Sequence, residues 1–313
     1  MTTPTPKATI IDIGSNSIKS LVAQRGSDGQ LTAVKLKTID ARISAGISRE
    51  SPQLSDAGIE RGVEAVRELL SDAQAHAPDY IVLVATSAVR DAVNGGVFTE
   101  RIQNLFGQRV RILTGDEEAN YIGRGLTCDP ALRGLRDFYV FDLGGGSLEC
   151  LAFRERKIVQ AISLPLGCVR LTERCVKDAS APFSEKDRAA IRDQTQSTLL
   201  ASGFRFDLPA HATAVGTGGT LTTARAVLAS LRETSFEQSD TLLPVTDLRE
   251  LFERVASVPL DERRKIPSMP FGRADVFPTA LATILALAEV GDFAAYRNST
   301  YNLRWGMADE ALA

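Results

Sequence analysis

The stretch IIDIGSNSIKSL near the start of the chain returns later as VFDLGGGSLECL. Asp12, Gly14, Ser17 and Leu21 recur as Asp142, Gly144, Ser147 and Leu151, a constant offset of 130 residues. The flanks agree in type: Thr9-Ile10-Ile11 precedes the first loop and Tyr139-Val140-Phe141 the second. Each loop is followed by a second β-rich run (LVAQ or CLAF), a turn, and a third run (LTAVKLKTI or KIVQAISLPL). A duplicated β-turn-β-turn-β unit accounts for this agreement, and an internal repeat of that size governs the reading of everything else.

After the first unit, LSDAGIERGVEAVRELLSDAQAH (54–76) carries Ile59, Val63, Val66, Leu69, Leu70 and Ala73 at helical spacing, with Ser55 as N-cap. A buried strand is expected at 79–85, a helix at 97–107 and a second buried strand at 109–113. GDEEANYIGRGL then opens a helix with Asp116, Glu117 and Glu118 in its first turn. After the second unit (137–165) a helix begins at FSEKDRAAIRDQ, where Ser184 and Asp187 fit a capping box. HATAVGTGGTLTTARAVLASL reads as strand, glycine loop and helix. Further helices lie between 246 and 290, NSTYNL supplies a last strand, and WGMADEALA a terminal helix. Both halves read βββαβαβα, so the expected class is α/β: two lobes, each a five-stranded mixed sheet covered by helices. The boundary is expected within 125–136, giving lobes 1–125 and 126–313, with the terminal helix 305–313 able to complete the first lobe. No low-complexity linker separates the halves, so they are expected to pack with a cleft between them.

Bulk composition narrows the functional classes. The chain has 313 residues, enough for two domains, and 44% hydrophobic with 24% charged residues is a soluble globular composition. A net charge of −3 argues against a broadly basic protein that binds duplex nucleic acid. MTTPTPKATI has no apolar core of signal-peptide length. FPTALATILALAEV (277–290) is too short to span a bilayer and carries a Glu, so a buried helix is expected there. Cysteines 128, 150, 168 and 175 show neither CxxC nor another zinc spacing, in keeping with reduced thiols and a cytoplasmic protein. Only two histidines are present, His76 and His211, which argues against a histidine triad or a His-rich metal site. Any catalysis falls to carboxylates and an oxygen-loving cation.

Gly-rich turns between strands let backbone N–H groups face an anion with no Cβ in the way. Gly14-Ser15-Asn16-Ser17 and Gly144-Gly145-Gly146-Ser147 are two such turns, each preceded by an aspartate, Asp12 or Asp142, that can hold Mg²⁺ directly or through water. One such loop alone reads as a tight hairpin; two at equivalent places favour a phosphate site. Gly216, Gly218, Gly219 and Thr220 of GTGGT form a third loop leading into a helix N-terminus, equally consistent with an anion site and with close strand–helix packing. Arg90 in ATSAVRDA is either a phosphate clamp or a solvated arginine. The acids 116–118 either favour the helix dipole or include a general base for water, and Glu149 has the same two readings. RERK (154–157) and DERRK (261–265) read as solvated basic faces.

DIGSNS, ATSAVRDA, GDEEA, DLGGGSLE and GTGGT, in this order and spacing, resemble the exopolyphosphatase/guanosine pentaphosphate phosphatase (Ppx/GppA) family of the actin–hexokinase–chaperone ATPase superfamily. The resemblance runs from residue 8 to about 306, and LGC (166–168) and RADVFP (273–278) match it too. It implies two actin-like (ribonuclease H-like) lobes with the active site in the interlobe cleft. The implied activity is release of terminal orthophosphate from inorganic polyphosphate or guanosine pentaphosphate, with Mg²⁺ or Mn²⁺. On this resemblance Glu118 is the catalytic glutamate, Arg90 the motif arginine and Glu149 a further acidic position. Gly14–Ser17 and Gly144–Ser147 become the phosphate loops, and Asp142 the metal-associated aspartate, with Asp12 as its counterpart. The tail departs from the family pattern, reading LRWG where relatives have LREG, with Trp305 in place of the acid. An actin-fold small-molecule kinase and a non-catalytic polyphosphate or nucleotide sensor are the alternatives, and a homodimer is an option.

Overall fold

The computed structural model describes residues 5–47 and 51–313. The chain divides into two units, Met1–Arg133 with Tyr301–Ala313, and Gly134–Thr300. The first contains β1 (Lys7–Ile13), β2 (Ile18–Arg25), β3 (Leu31–Ile39), α1 (Asp56–Gln74), β4 (Tyr80–Ala85), α2 (Ser87–Asp91), α3 (Gly95–Phe106), β5 (Val110–Ile112) and α4 (Gly115–Thr127). The second contains β6 (Phe138–Leu143), β7 (Leu148–Arg154), β8 (Lys157–Leu164), α5 (Cys168–Cys175), α6 (Glu185–Ala201), β9 (Thr213–Thr217) and α7 (Gly218–Leu231). It continues through β10 (Leu242–Pro244), α8 (Val245–Ala256), α9 (Leu260–Arg263), α10 (Phe277–Gly291) and β11 (Ala295–Asn298). The closing helix α11 (Leu303–Ala311) belongs to the first unit, where it packs on α4 and β1.

The strand order is β3-β2-β1-β4-β5 in the first sheet and β8-β7-β6-β9-β11-β10 in the second. The two orders coincide strand for strand except for β10, so the duplication extends past the hairpins to the whole sheet. In both, the first two strand pairings are antiparallel and the crossover strand joins the first strand in parallel. The second sheet has six strands where five were expected, because Leu242–Pro244 pairs with β11 at the edge. That segment ends in a proline, which an edge strand tolerates.

Local signals shaped several of the helices. Ser55 accepts from the Gly58 N–H at the start of α1, and Ile59, Val63, Val66, Leu69, Leu70 and Ala73 are buried as its spacing requires. Ser184 and Asp187 form the reciprocal capping box of α6. In α10 every residue from Phe277 to Ala288 is buried, so it is a core helix, and no helix among the described residues is long and apolar enough to cross a membrane. Two cores result, one under each sheet: Ile11, Leu69 and Phe98 belong to the first, Phe141, Phe252 and Tyr296 to the second.

Three expectations shift. The strand at 109–113 is not buried: Arg111 and Ile112 are exposed, because β5 pairs only with β4 and closes the sheet. The last strand is AYRN (295–298) rather than NSTYNL. Beyond Asn298 the Ser299 N–H turns to Gly216 O, and the Asn302 side chain caps α11 by accepting from the Arg304 N–H. Finally, α5 stands between the second hairpin unit and α6, where the repeat pattern had no helix.

Candidate active site

In the first unit the loop Gly14–Ser17 joins β1 to β2, and Ser15, Asn16 and Ser17 are all buried. Its side chains are partly engaged by the surrounding scaffold. Ser15 Oγ lies 3.0 Å from Ser87 Oγ, and Arg42 Nε donates to Asn16 Oδ1 at 3.1 Å. The segment after β3 holds the loop from behind, with the Arg42 N–H on Asn16 O and the Ser44 N–H on Ser15 O. Asp12 ends β1. Its Oδ1 is buried and, among the described residues, has no hydrogen-bond partner. Burial pushes the Asp12 carboxyl up from its ordinary range, against the pull of Lys19 and Arg304. Arg304 reaches the same hairpin from α11, donating to Ser20 O at 3.0 Å. The adjacent Trp305 is buried and stacks on Tyr301 with ring centroids 4.1 Å apart, so the residue that departs from the family pattern serves packing in α11.

The three acids at the start of α4 have three different surroundings. Asp116 is exposed. Glu117 takes the capping role: Thr114 accepts from the Glu117 N–H, and the Glu117 carboxylate accepts from the Thr114 N–H at 2.8 Å. The Thr114 amide, together with Arg111, holds the Glu117 carboxyl below its ordinary value. Glu118 is buried, and Arg90 Nη1 donates to its Oε2 at 2.8 Å while also donating to Leu113 O at 3.1 Å. Arg90 is therefore no solvated arginine. It sits in the last turn of α2, which starts directly beyond β4, and it pairs with Asp91 at 3.4 Å as well as holding the Glu118 carboxylate.

In the second unit, β6 ends in Asp142 before the loop Gly144–Ser147. Asp142 stands opposite Glu149 in the β6–β7 ladder and opposite Thr217 in the β6–β9 ladder. Glu149 is buried and accepts from Ser163 Oγ at 2.8 Å. The GTGGT segment divides its work. Gly216 lies in β9, where a Cβ would fall 1.8 Å from Leu221 Cδ1, so its smallness serves strand–helix packing. Gly218 has φ +77°, and a Cβ there would lie 1.9 Å from Asp142 Oδ1; only glycine lets the α7 N-terminus approach that carboxylate. Thr220 Oγ1 donates to Leu143 O at 3.0 Å, tying α7 to the base of the phosphate-type loop.

One residue escaped the motif reading. Arg273, in the turn before α10, brings its guanidinium against Gly219, where a Cβ would meet Nη2 at 2.0 Å. Arg273 is 8% exposed, and among the described residues its guanidinium has no hydrogen-bond acceptor. A nearly buried, unspent cation at the mouth of a helix N-terminus is suited to an anion. The turn that carries it is anchored by Arg263 of the DERRK run, which is fully buried rather than solvated. Arg263 donates to Val258 O, Ala179 O, Ala181 O and Ala274 O. The RADVFP string was visible in the sequence, but its contact with Gly219 is made only by the fold.

Each unit thus presents a glycine loop backed by an aspartate. The first adds a caged carboxylate, and the second adds a carboxylate pair and an open cation. Residues 21–313 match the sequence model of the Ppx/GppA phosphatase family. The chain is 31% identical over 291 residues to exopolyphosphatase 2 of Mycobacterium tuberculosis (strain H37Rv), covering 89% of this chain and 88% of that protein. Among solved structures, the Aquifex aeolicus PPX-GPPA enzyme aligns with a TM-score of 0.78 at 25% identity, over 98% of this chain and 100% of that one. An exopolyphosphatase from Cytophaga hutchinsonii has the same fold, with a TM-score of 0.88 at 24% identity over 98% and 97% of the two chains. The match runs through both sheets, and the chain accordingly belongs to the Ppx/GppA phosphatase family, as a hydrolase on the actin-like ATPase fold.

Proposed function

We propose that this protein is an exopolyphosphatase, releasing orthophosphate from the end of inorganic polyphosphate in the cytoplasm, with guanosine pentaphosphate as a second substrate of the same chemistry. The observation that carries this reading is the separation of Glu118 from Glu117. Glu117 does the capping, while Glu118 is buried, excused from capping and held by Arg90. A general base needs a carboxylate that is held in place and is not spent on capping its own helix. The relative named exopolyphosphatase 2 supports the choice of polyphosphate, and the four free cysteines are in keeping with a reducing compartment.

In the proposed step a water oxygen bonds to the terminal phosphorus as the bond from that phosphorus to the bridging oxygen breaks. Glu118 accepts the proton of the water, and the shortened chain leaves with the bridging oxygen as its new anionic end. Arg90 remains protonated and keeps Glu118 in place. Loop amides, the Ser147 hydroxyl and the Arg273 guanidinium stabilise the phosphoryl oxygens, since phosphoryl transfer depends mainly on positioning and charge stabilisation.

The carboxylates fit Mg²⁺ or Mn²⁺. Asp142 and Glu149 face each other on one sheet surface, and Asp12 offers a buried oxygen that has no hydrogen-bond partner among the described residues. Among the described residues no cluster of three or more His, Cys, Asp or Glu side chains forms a complete cage. That suits a cation which usually takes one or two protein carboxylates and fills its shell with water and substrate phosphate. When bound, such a cation supplies neutralisation of phosphoryl charge.

The test is orthophosphate release from long polyphosphate, short polyphosphate and guanosine pentaphosphate, side by side with Mg²⁺. Gels should show gradual loss from the chain end. Early accumulation of mid-length fragments would overturn end-wise cutting, and ADP formation from ATP with an acceptor panel, without phosphate release, would favour a kinase.

A further inference from the structure

The loop Gly144–Ser147 is gripped from behind by the start of α5. The Cys168 N–H donates to Gly144 O at 3.0 Å, and the Val169 and Arg170 N–H groups both donate to Gly145 O, at 2.9 and 3.2 Å. Arg170 Nε then donates to Gly146 O at 2.8 Å. Peptide units are planar and trans, so each carbonyl points opposite to the N–H of the residue that follows it. Three carbonyls drawn toward α5 therefore turn the N–H groups of Gly145, Gly146 and Ser147 out of the other side of the loop. Among the described residues none of these three amides donates to a protein acceptor. Successive amides turned the same way form an anion-binding concavity.

The three peptides are not secured alike. Main-chain donors hold the first two, and any sequence able to form α5 would supply them. The third, which carries the Ser147 N–H, is held by one side chain. A glycine at 146 leaves that peptide little intrinsic resistance to turning over. Close contact keeps the side chain in range: a Cβ on Gly167 would lie 2.2 Å from Gly146 C, so helix and loop touch backbone to backbone.

We propose that Arg170 is a positioning residue of this site, holding the Gly146–Ser147 peptide so that the Ser147 N–H faces the phosphoryl group. The proposal rests on the reading of this loop as a phosphate site. Without the Arg170 donor the peptide can turn over, and the Gly146 carbonyl then presents a negative dipole end where the anion needs a donor. Affinity and rate suffer, while the fold keeps its other bonds between α5 and the loop.

The experiment uses the full chain labelled with ¹⁵N at glycine and serine, titrated with inorganic phosphate, as wild type, Arg170→Met and Arg170→Lys. Wild type should show phosphate-dependent shifts at the Gly145, Gly146 and Ser147 amides. Arg170→Met should bind phosphate about tenfold more weakly, the worth of one hydrogen bond to a charged group. It should lose the Ser147 response while keeping that of Gly145, and show a similar fall in kcat/KM on polyphosphate with its melting temperature nearly unchanged. Arg170→Lys, which keeps the charge without the planar fork, should fall between the two. A folded Arg170→Met with wild-type phosphate affinity and an intact Ser147 shift overturns the proposal. If that variant does not fold, Arg170→Lys decides by the same two measurements, with wild-type behaviour counting against it. A wild-type protein whose three amides ignore phosphate also overturns it. One whose amides respond but which releases no phosphate from polyphosphate refutes the exopolyphosphatase reading and leaves Arg170's role standing.

Discussion

Asp142 and Glu149 face each other directly across β6 and β7, whereas the equivalent pair in the first repeat is Asp12 and Lys19. The duplicated hairpin has diverged into one copy that balances its own charge and one that concentrates negative charge. Like charges directly opposite weaken a strand pair, and a cation held between them, as proposed above, would offset that cost. Glu149→Gln keeps the acceptor for Ser163 and removes one charge. It should raise the Mg²⁺ concentration needed for half-maximal phosphate release by roughly 10–100-fold, the usual cost of disturbing a metal's supporting groups. In chelator the same variant should melt slightly above wild type. An unchanged Mg²⁺ requirement, with a lower melting temperature, would refute the assignment.

The neighbours Glu117 and Glu118 should separate stability from chemistry. Glu117→Gln keeps the capping-box acceptor of α4 and loses only the charge that meets Arg111 and the helix N-terminus, so it should melt slightly below wild type with near-normal kcat. Glu118→Gln keeps size and hydrogen bonding but cannot take the proton, and should lower kcat by roughly 10²–10⁴-fold with little change in melting. Steady-state phosphate release and thermal melts on both variants are the measurements. Equal small losses in kcat would return Glu118 to the status of a helix-start residue.

Glycines that look alike in the loop motifs should respond differently to substitution. At Gly218 a methyl group meets the Asp142 carboxylate and the backbone lies at φ +77°, so Gly218→Ala should cost about 1–3 kcal/mol and displace the carboxylate. At Gly144 a Cβ would meet only Ser147 O at 3.5 Å, an ordinary contact, so Gly144→Ala should fold with near-native stability. Denaturant melts of the two variants make the comparison. Similar destabilisation by both would contradict the loop geometry.

Asp309 ties α11 to its unit, accepting from Arg25 Nη2 at 2.8 Å and Arg124 Nε at 2.7 Å. Burial pushes its carboxyl up, but the two arginines outweigh burial, and it lies below the ordinary value of 3.8. A carboxyl lowered in the folded state contributes stability that is complete above its unfolded value and is lost as pH falls through the folded one. Asp309→Asn should therefore lower the melting temperature at pH 7, by about 2–4 °C for a contribution near 1 kcal/mol. The gap from wild type should close below about pH 4. Melts at pH 7, 5, 4 and 3 check the sign; a gap that widens toward acid would exclude the mechanism.

The sequence by itself determined whatever depends on short-range rules. The offset between the two loops announced two copies of one hairpin, because strand, turn and strand are specified by residues in immediate succession. Ser55 and the Ser184–Asp187 pair marked helix starts because a cap bonds to amides two or three residues away. The apolar run 277–290 marked a buried helix because no side of it could face water.

Tertiary structure decided what depends on partners distant in the chain. Three acids in one helical turn are equivalent by composition. Thr114 and Arg111 claim Glu117, while Arg90, 28 residues away, claims Glu118. GTGGT and RADVFP were each legible, but only packing brings Arg273 against Gly219. The edge position of β5, the added strand β10 and the return of α11 to the first sheet also follow from which surfaces remain to be covered once the sheets have formed. Local propensity sets the elements, and burial and long-range pairing set their neighbours; a catalytic role belongs to the neighbours.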